Sequence, residues 1–173
     1  MIDDDAAKAG RLPAIANLMI NGSAGITGVW AEENTRASIF AALKRKETFA
    51  TSGPRLRVRF FGGWNFTPAM LKTADWARQA YRTGAPMGGD LPFRPAGAGA
   101  PSFIVQAVKD PDGANLDRIQ IVKVWLEGGD YKEKVFDVAL SGGRKVDPRT
   151  GKAPAVGSTV DLKTATYKNT IGA

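Results

Sequence analysis

Arg118-Ile-Gln-Ile-Val-Lys-Val-Trp-Leu126, Gly128-Gly-Asp130 and Tyr131-Lys-Glu-Lys-Val-Phe-Asp-Val-Ala-Leu140 read as a strand, a turn and a strand. Branched and aromatic side chains favour the pleated backbone, and the paired glycines supply the positive φ angles of a tight hairpin turn. An earlier run, Ser102–Lys109, is rich in Phe, Ile and Val and ends at Asp110-Pro-Asp-Gly113, a turn signal. Strands in sequence joined by short turns pair antiparallel. A doubly wound parallel sheet would need a crossover helix between each pair. One more short strand signal lies at Thr164–Lys168, after a loop rich in Gly, Pro and Lys that runs to about Ser158. No internal repeat is visible.

Upstream the pattern changes. In Arg55-Leu-Arg-Val-Arg-Phe60 apolar and basic residues alternate strictly, the period of a half-buried strand. Leu56, Val58 and Phe60 are expected on the core face, the three arginines on the wet face, with Gly62-Gly63 ending the strand. Residues 35–47 are expected to be a helix. Asn34 or Thr35 can cap it, Glu32 and Glu33 sit by its positive end, and Lys44, Arg45 and Lys46 by its negative end. Ile39, Phe40 and Leu43 form its apolar stripe. A second helix is expected after Thr67, with Pro68 at its first position, reaching Tyr81 and burying Met70, Leu71, Ala74, Ala77 and Tyr81. Residues 84–101 hold five Gly and four Pro and read as a long loop. Residues 1–29, broken by Pro13 and by Gly22, Gly25 and Gly28, read as largely irregular. The fold class that follows is α+β and mainly β: a helix-bearing N-terminal third, with one further helix inserted, and an antiparallel β remainder.

Composition restricts the chemistry. The chain has 173 residues, no cysteine and no histidine. Disulfides, thiolate zinc sites, cysteine nucleophiles, Ser-His-Asp triads and imidazole bases are therefore excluded within it. The length is that of one domain with room for a core. No apolar run approaches the roughly 18 residues of a membrane span. The acidic start, Met1 to Asp5, lacks the basic segment of a signal peptide. The cytoplasm is thus the default location, unless export is directed by a segment upstream.

The formal net charge is +7 and uneven: residues 1–34 are net −3, residues 35–59 net +6 and the rest net +4. The basic block has two readings, a face for an anion or nucleic acid, or a solvated helix end followed by the wet side of a strand. Around Arg59-Phe-Phe-Gly-Gly-Trp64 aromatics interleave with a base, as in sheets that stack nucleic-acid bases. Phe60 is assigned to the core, however, and the aromatic-basic motif of an RNA-recognition domain is missing, so nucleic acid is not the expected partner. Asp110-x-Asp112-Gly-x-Asn115-x-Asp117 departs from a calcium loop in the place of its glycine and the lack of a terminal Glu, and reads as a plain turn. Ser141-Gly-Gly-Arg-Lys145 lacks the spacing of a phosphate-binding loop. In Gly28-Val-Trp-Ala-Glu-Glu-Asn-Thr-Arg36 two carboxylates, an amide, a guanidinium and an indole fall within nine residues. The string can line a substrate cleft, or be a helix N-terminus with a packed Trp.

Gly28–Arg36, Ile39–Lys44, Glu47–Arg55, Val58–Trp64, Pro86–Pro92, Lys109–Lys123 and Ala165–Gly172 together resemble one bacterial family. It is catalogued as domain-of-unknown-function family 3604 and is related to metal-dependent hydrolases of the polymerase and histidinol phosphatase (PHP) type. The resemblance runs from about Ser23 to the end. It implies a chain longer at both ends, with metal-binding histidines and carboxylates upstream in a barrel-like catalytic domain. On that basis residues 1–50 correspond to the end of the hydrolase domain and residues 51–173 to a β-rich accessory domain, an antiparallel sandwich. The implied function is the non-catalytic C-terminal part of a hydrolase of phosphate or sulfate esters, with divalent metal in the whole protein and none in this chain. Its implied partner is the upstream catalytic domain; no oligomeric state follows. The resemblance carries substrate contacts onto Trp30, Glu32, Glu33, Asn34 and Arg36, and an anion contact onto Arg55. The alternative is a stand-alone anion- or carbohydrate-binding β module using Arg55, Arg57 and Arg59. If the helix at 35–47 normally packs on a missing barrel, Ile39, Phe40 or Leu43 should be partly exposed, or covered by residues 1–25.

Overall fold

The computed structural model describes residues 24–173. Every strand pairing in it is antiparallel, in three small sheets. The mainly β α+β class holds, while the pairing by itself establishes no sandwich. Among the described residues no helix is long and apolar enough to cross a membrane.

Part of the N-terminal stretch expected to be irregular is a strand. β1 (Ile26–Val29) pairs with β2 (Thr48–Thr51), with Gly28 opposite Phe49. The β-branched and aromatic residues of Ile26-Thr-Gly-Val29 and Thr48-Phe-Ala-Thr51 suit strands, but local sequence does not give the pairing, because the partner lies beyond a whole helix. The rest of the expected irregular segment, residues 1–23, lies outside the described residues.

Helix α1 (Arg36–Lys44) stands where the caps placed it, three residues short of the expected end. Thr35 is the N-cap: its hydroxyl accepts from the Ser38 amide at 3.3 Å. At the other end the Lys46 amide donates to Leu43 and the Glu47 amide to Ala42, with Lys46 at φ 60°. That bond pair is the Schellman closure, which turns the chain straight into β2. Ala42 faces inward and is fully buried, Ile39 is half-buried, and Phe40 and Leu43 are exposed.

The strand expected at 55–60 is β3 (Arg57–Gly63), and the double glycine lies inside it. It is central in a three-stranded sheet, between β4 (Gly84–Pro86) and β5 (Ser102–Val108). The long loop of 84–101 thus begins with an edge strand, a place where Pro86 costs no ladder bond. The face assignment of β3 is corrected. Phe61, on the same side as Arg57 and Arg59, is the buried residue at 1% exposure, while Phe60 on the other side is half-buried and stacks on exposed Phe103. Both faces carry apolar groups; the second helix decides between them by packing on the Phe61 side.

That second helix is also shorter than expected. A 3-10 turn (Met70–Lys72) precedes α2 (Trp76–Thr83), because Thr73 turns extended and its hydroxyl binds the Met70 carbonyl. Ala80 is fully buried and Trp76 packs against the core, whereas Leu71, Ala74 and Tyr81 are exposed, contrary to expectation. Phe61, Phe66, Ala80 and Ile104 form the core, with Met70 and Trp76 at its edge. Phe66 lies so close to Gly84 that a β-carbon there would sit 2.4 Å from its ring.

β6 (Arg118–Glu127) and β7 (Asp130–Leu140) form the expected hairpin. Gly128 and Gly129, at φ 61° and 90°, make its two-residue turn. Asp110 bonds its own turn, accepting from Asp112 at 3.0 Å and from the Arg55 amide at 2.6 Å, as a plain turn should. The strand expected at Thr164–Lys168 is absent; a single bridge joins Asp161 to Thr166 around a tight turn.

Candidate functional site

Five segments build one cleft of about 830 Å³. The β1–α1 connection contributes Trp30, Ala31 and Glu32, and the end of α1 contributes Arg45 and Glu47. β3 contributes Arg59; α2 contributes Ala77, Arg78, Tyr81 and Arg82, and Pro86 closes one side. Arg78 and Arg82 are one helical turn apart and so share a face of α2.

Trp30 and Arg59 form a fixed pair. The Trp30 amide donates to the Glu47 carbonyl at 3.0 Å and its indole N–H to the Val58 carbonyl at 2.8 Å. The ring is thereby held across the end of β1 and the start of β3. The Arg59 guanidinium lies over it, 3.7 Å from the centroid. A stacked guanidinium spends its face and keeps its N–H edge for hydrogen bonds. The Arg59 Nε is buried and has no hydrogen-bond partner among the described residues.

Glu47 is 3% exposed and belongs to the cleft wall. The Tyr81 hydroxyl donates to it, and Arg45 approaches its other oxygen at 3.4 Å. The Tyr81 ring meets Phe61 edge-on with centroids 4.9 Å apart. Partial burial and the hydrogen bond to Glu47 push the Tyr81 phenol up to about 12, so it stays a neutral donor at physiological pH. The donor set is thus four guanidiniums against two carboxylates, one of them engaged by Tyr81 and Arg45. Such a set fits an anion. It does not fit a metal ion, and among the described residues no group of three His, Cys, Asp or Glu is placed to hold one.

Of the residues singled out from the sequence, Trp30 and Glu32 line this cleft. Glu33, Asn34 and Arg36 are exposed at the start of α1 and do not line it; the Glu33 amide donates to the Ser38 hydroxyl. Arg55 precedes β3, is held by Asp110 through its backbone, and stands outside the cleft. Arg45, Glu47, Arg78, Tyr81 and Arg82 were not among them. The i, i+4 pair Arg78 and Arg82 flanking Tyr81 was the signal available for that wall.

A family model described as "Protein of unknown function (DUF3604)" matches residues 4–173, reaching further toward the N-terminus than the strings quoted above. No curated protein and no solved structure matches the chain.

Proposed function

The chain belongs to the DUF3604 family, and from that premise we propose that it is an anion-binding module without turnover of its own. The observation that supports this best is the Arg59 guanidinium, stacked on Trp30 in a cleft shared with Arg45, Arg78 and Arg82. The Nε is closed to solvent and so to an oxyanion of similar size; what Arg59 offers a ligand is its charge and the remaining N–H groups of the stacked guanidinium. Bidentate guanidinium contacts are the strong ones for carboxylate, phosphate and sulfate groups.

The resemblance supplies a setting for such a module. In a PHP-like hydrolase of the phosphate or sulfate ester class, the divalent metal and its ligands would belong to an upstream catalytic domain. This chain would hold the acidic part of the substrate, and the sandwich arrangement of its strands is part of the same proposal. Titration of the chain with inorganic phosphate at low salt, followed by calorimetry, tests the binding. Saturable binding is expected, weakened at least about ten-fold when Arg78→Gln and Arg82→Gln are combined. No binding, or binding indifferent to that double variant, would overturn it.

A further inference from the structure

A second hollow of about 220 Å³ adjoins the cleft, lined by Trp30, Arg57, Arg59, Gln106 and Val108. Trp30 and Arg59 therefore form a wall common to both spaces. Arg57 and Arg59 are two positions apart on β3, on one face and about 7 Å from each other. Gln106 faces the same side, because it is opposite Arg59 in the β3–β5 register. The smaller hollow has its own exposed guanidinium in Arg57, and the larger has Arg78 and Arg82. None of these three forms an ion pair with a described residue.

Resting on the anion-binding reading, we infer that the natural ligand is an acidic oligosaccharide with two anionic groups, one held by Arg57 and one by Arg78 and Arg82. Arg59, in the wall common to both spaces, lies between them. The hydroxylated body follows from the other lining groups. Glu32 and Gln106 are acceptors for ligand hydroxyls. Nucleic acid fits less well. Stacking of bases needs an open aromatic face, and the Trp30 face is taken by Arg59.

Calorimetry at low salt with galacturonate, trigalacturonate, a sulfated disaccharide and oligo(dT) tests the inference. The trimer is expected to bind at least about ten-fold tighter than the monomer, since the second contact is made within the complex. Arg57→Gln should abolish that gain, so that on the variant the trimer binds no tighter than the monomer, with the fold checked by circular dichroism. The sulfated sugar tells whether the acid is a carboxylate or a sulfate: Arg57-dependent binding of either supports the inference. Equal affinity for monomer and trimer with no Arg57-dependent binding of the sulfated sugar would refute it, as would oligo(dT) binding tightest. If phosphate still binds through Arg78 and Arg82 in that case, the anion-binding reading stands while this inference falls.

Discussion

Glu47 shows how far a residue can depart from what its neighbours in sequence suggest. It follows Lys44-Arg-Lys46 at the end of a helix, where a carboxylate is ordinarily solvated. The Schellman closure carries it inward instead, under the Tyr81 hydroxyl. The arrangement has a pH signature. Tyr81 titrates at about 12 in the fold against 10 for an ordinary phenol. The folded state therefore holds this proton more tightly than the unfolded chain. Its contribution is complete below pH 10 and is lost as pH rises through 12. Urea unfolding across that range should show the wild type stabler than Tyr81→Phe at pH 8, by about 1–2 kcal/mol for the missing donor to a buried carboxylate. The gap should close toward pH 12. Parallel curves would show that the Tyr81–Glu47 bond does not set the phenol's affinity. The cap of α1, by contrast, was legible in the sequence to within one residue, Asn34 or Thr35, because donor and acceptor are three residues apart.

At the scale of elements, periodicity located α1 and β3 but misjudged their limits and one face. α1 stops where Lys46 adopts a left-handed backbone, and no glycine marks the place. A side chain in that conformation costs roughly 1–2 kcal/mol, against a smaller entropy penalty for glycine. Lys46→Gly is accordingly expected to stabilise the protein by up to about 1 kcal/mol, read as a raised melting temperature. A lowered one would mean that the Lys46 side chain contributes more than its backbone costs. In β3 the alternation of Arg55 to Phe60 was real, yet it named the wrong core face. The deciding residue, Phe61, lies one position past the alternating run, and its partners Trp76, Ala80 and Ile104 come from later in the chain. α2 lost its first turns to Thr73, whose side chain competes for the backbone carbonyl of Met70.

For the molecule as a whole, stability is concentrated around the β3 sheet and α2. The β6–β7 ribbon stands apart: on one face Val122, Val124, Leu126, Tyr131 and Val135 are all exposed. On the other, Lys123 and Lys134 lie over Trp125 and Phe136. A two-stranded ribbon with no covered face is marginally stable in water. Amide hydrogen exchange should therefore find β6 and β7 opening at much lower free energy than β3 and β5. Equal protection in the isolated chain would mean that the ribbon's exposed face is covered in solution.

The sequence by itself determined what depends on near neighbours: the Gly128-Gly129 hairpin, a cap at Asn34 or Thr35, the Asp110 turn, the antiparallel β-rich class and the exclusion of cysteine and histidine chemistry. Only the tertiary structure decided that β1 pairs with β2, that β4 borders β3, that Phe61 and not Phe60 faces α2, and that Glu47 is buried. It alone joined Arg45, Arg59, Arg78 and Arg82 with Trp30 in one cleft. The reason is physical. Caps and tight turns are bonds between residues a few positions apart, so a short window contains both partners. A sheet edge, a core face and a binding cleft are contacts across tens of residues, chosen by which apolar surfaces can be buried together, and no short window contains that choice.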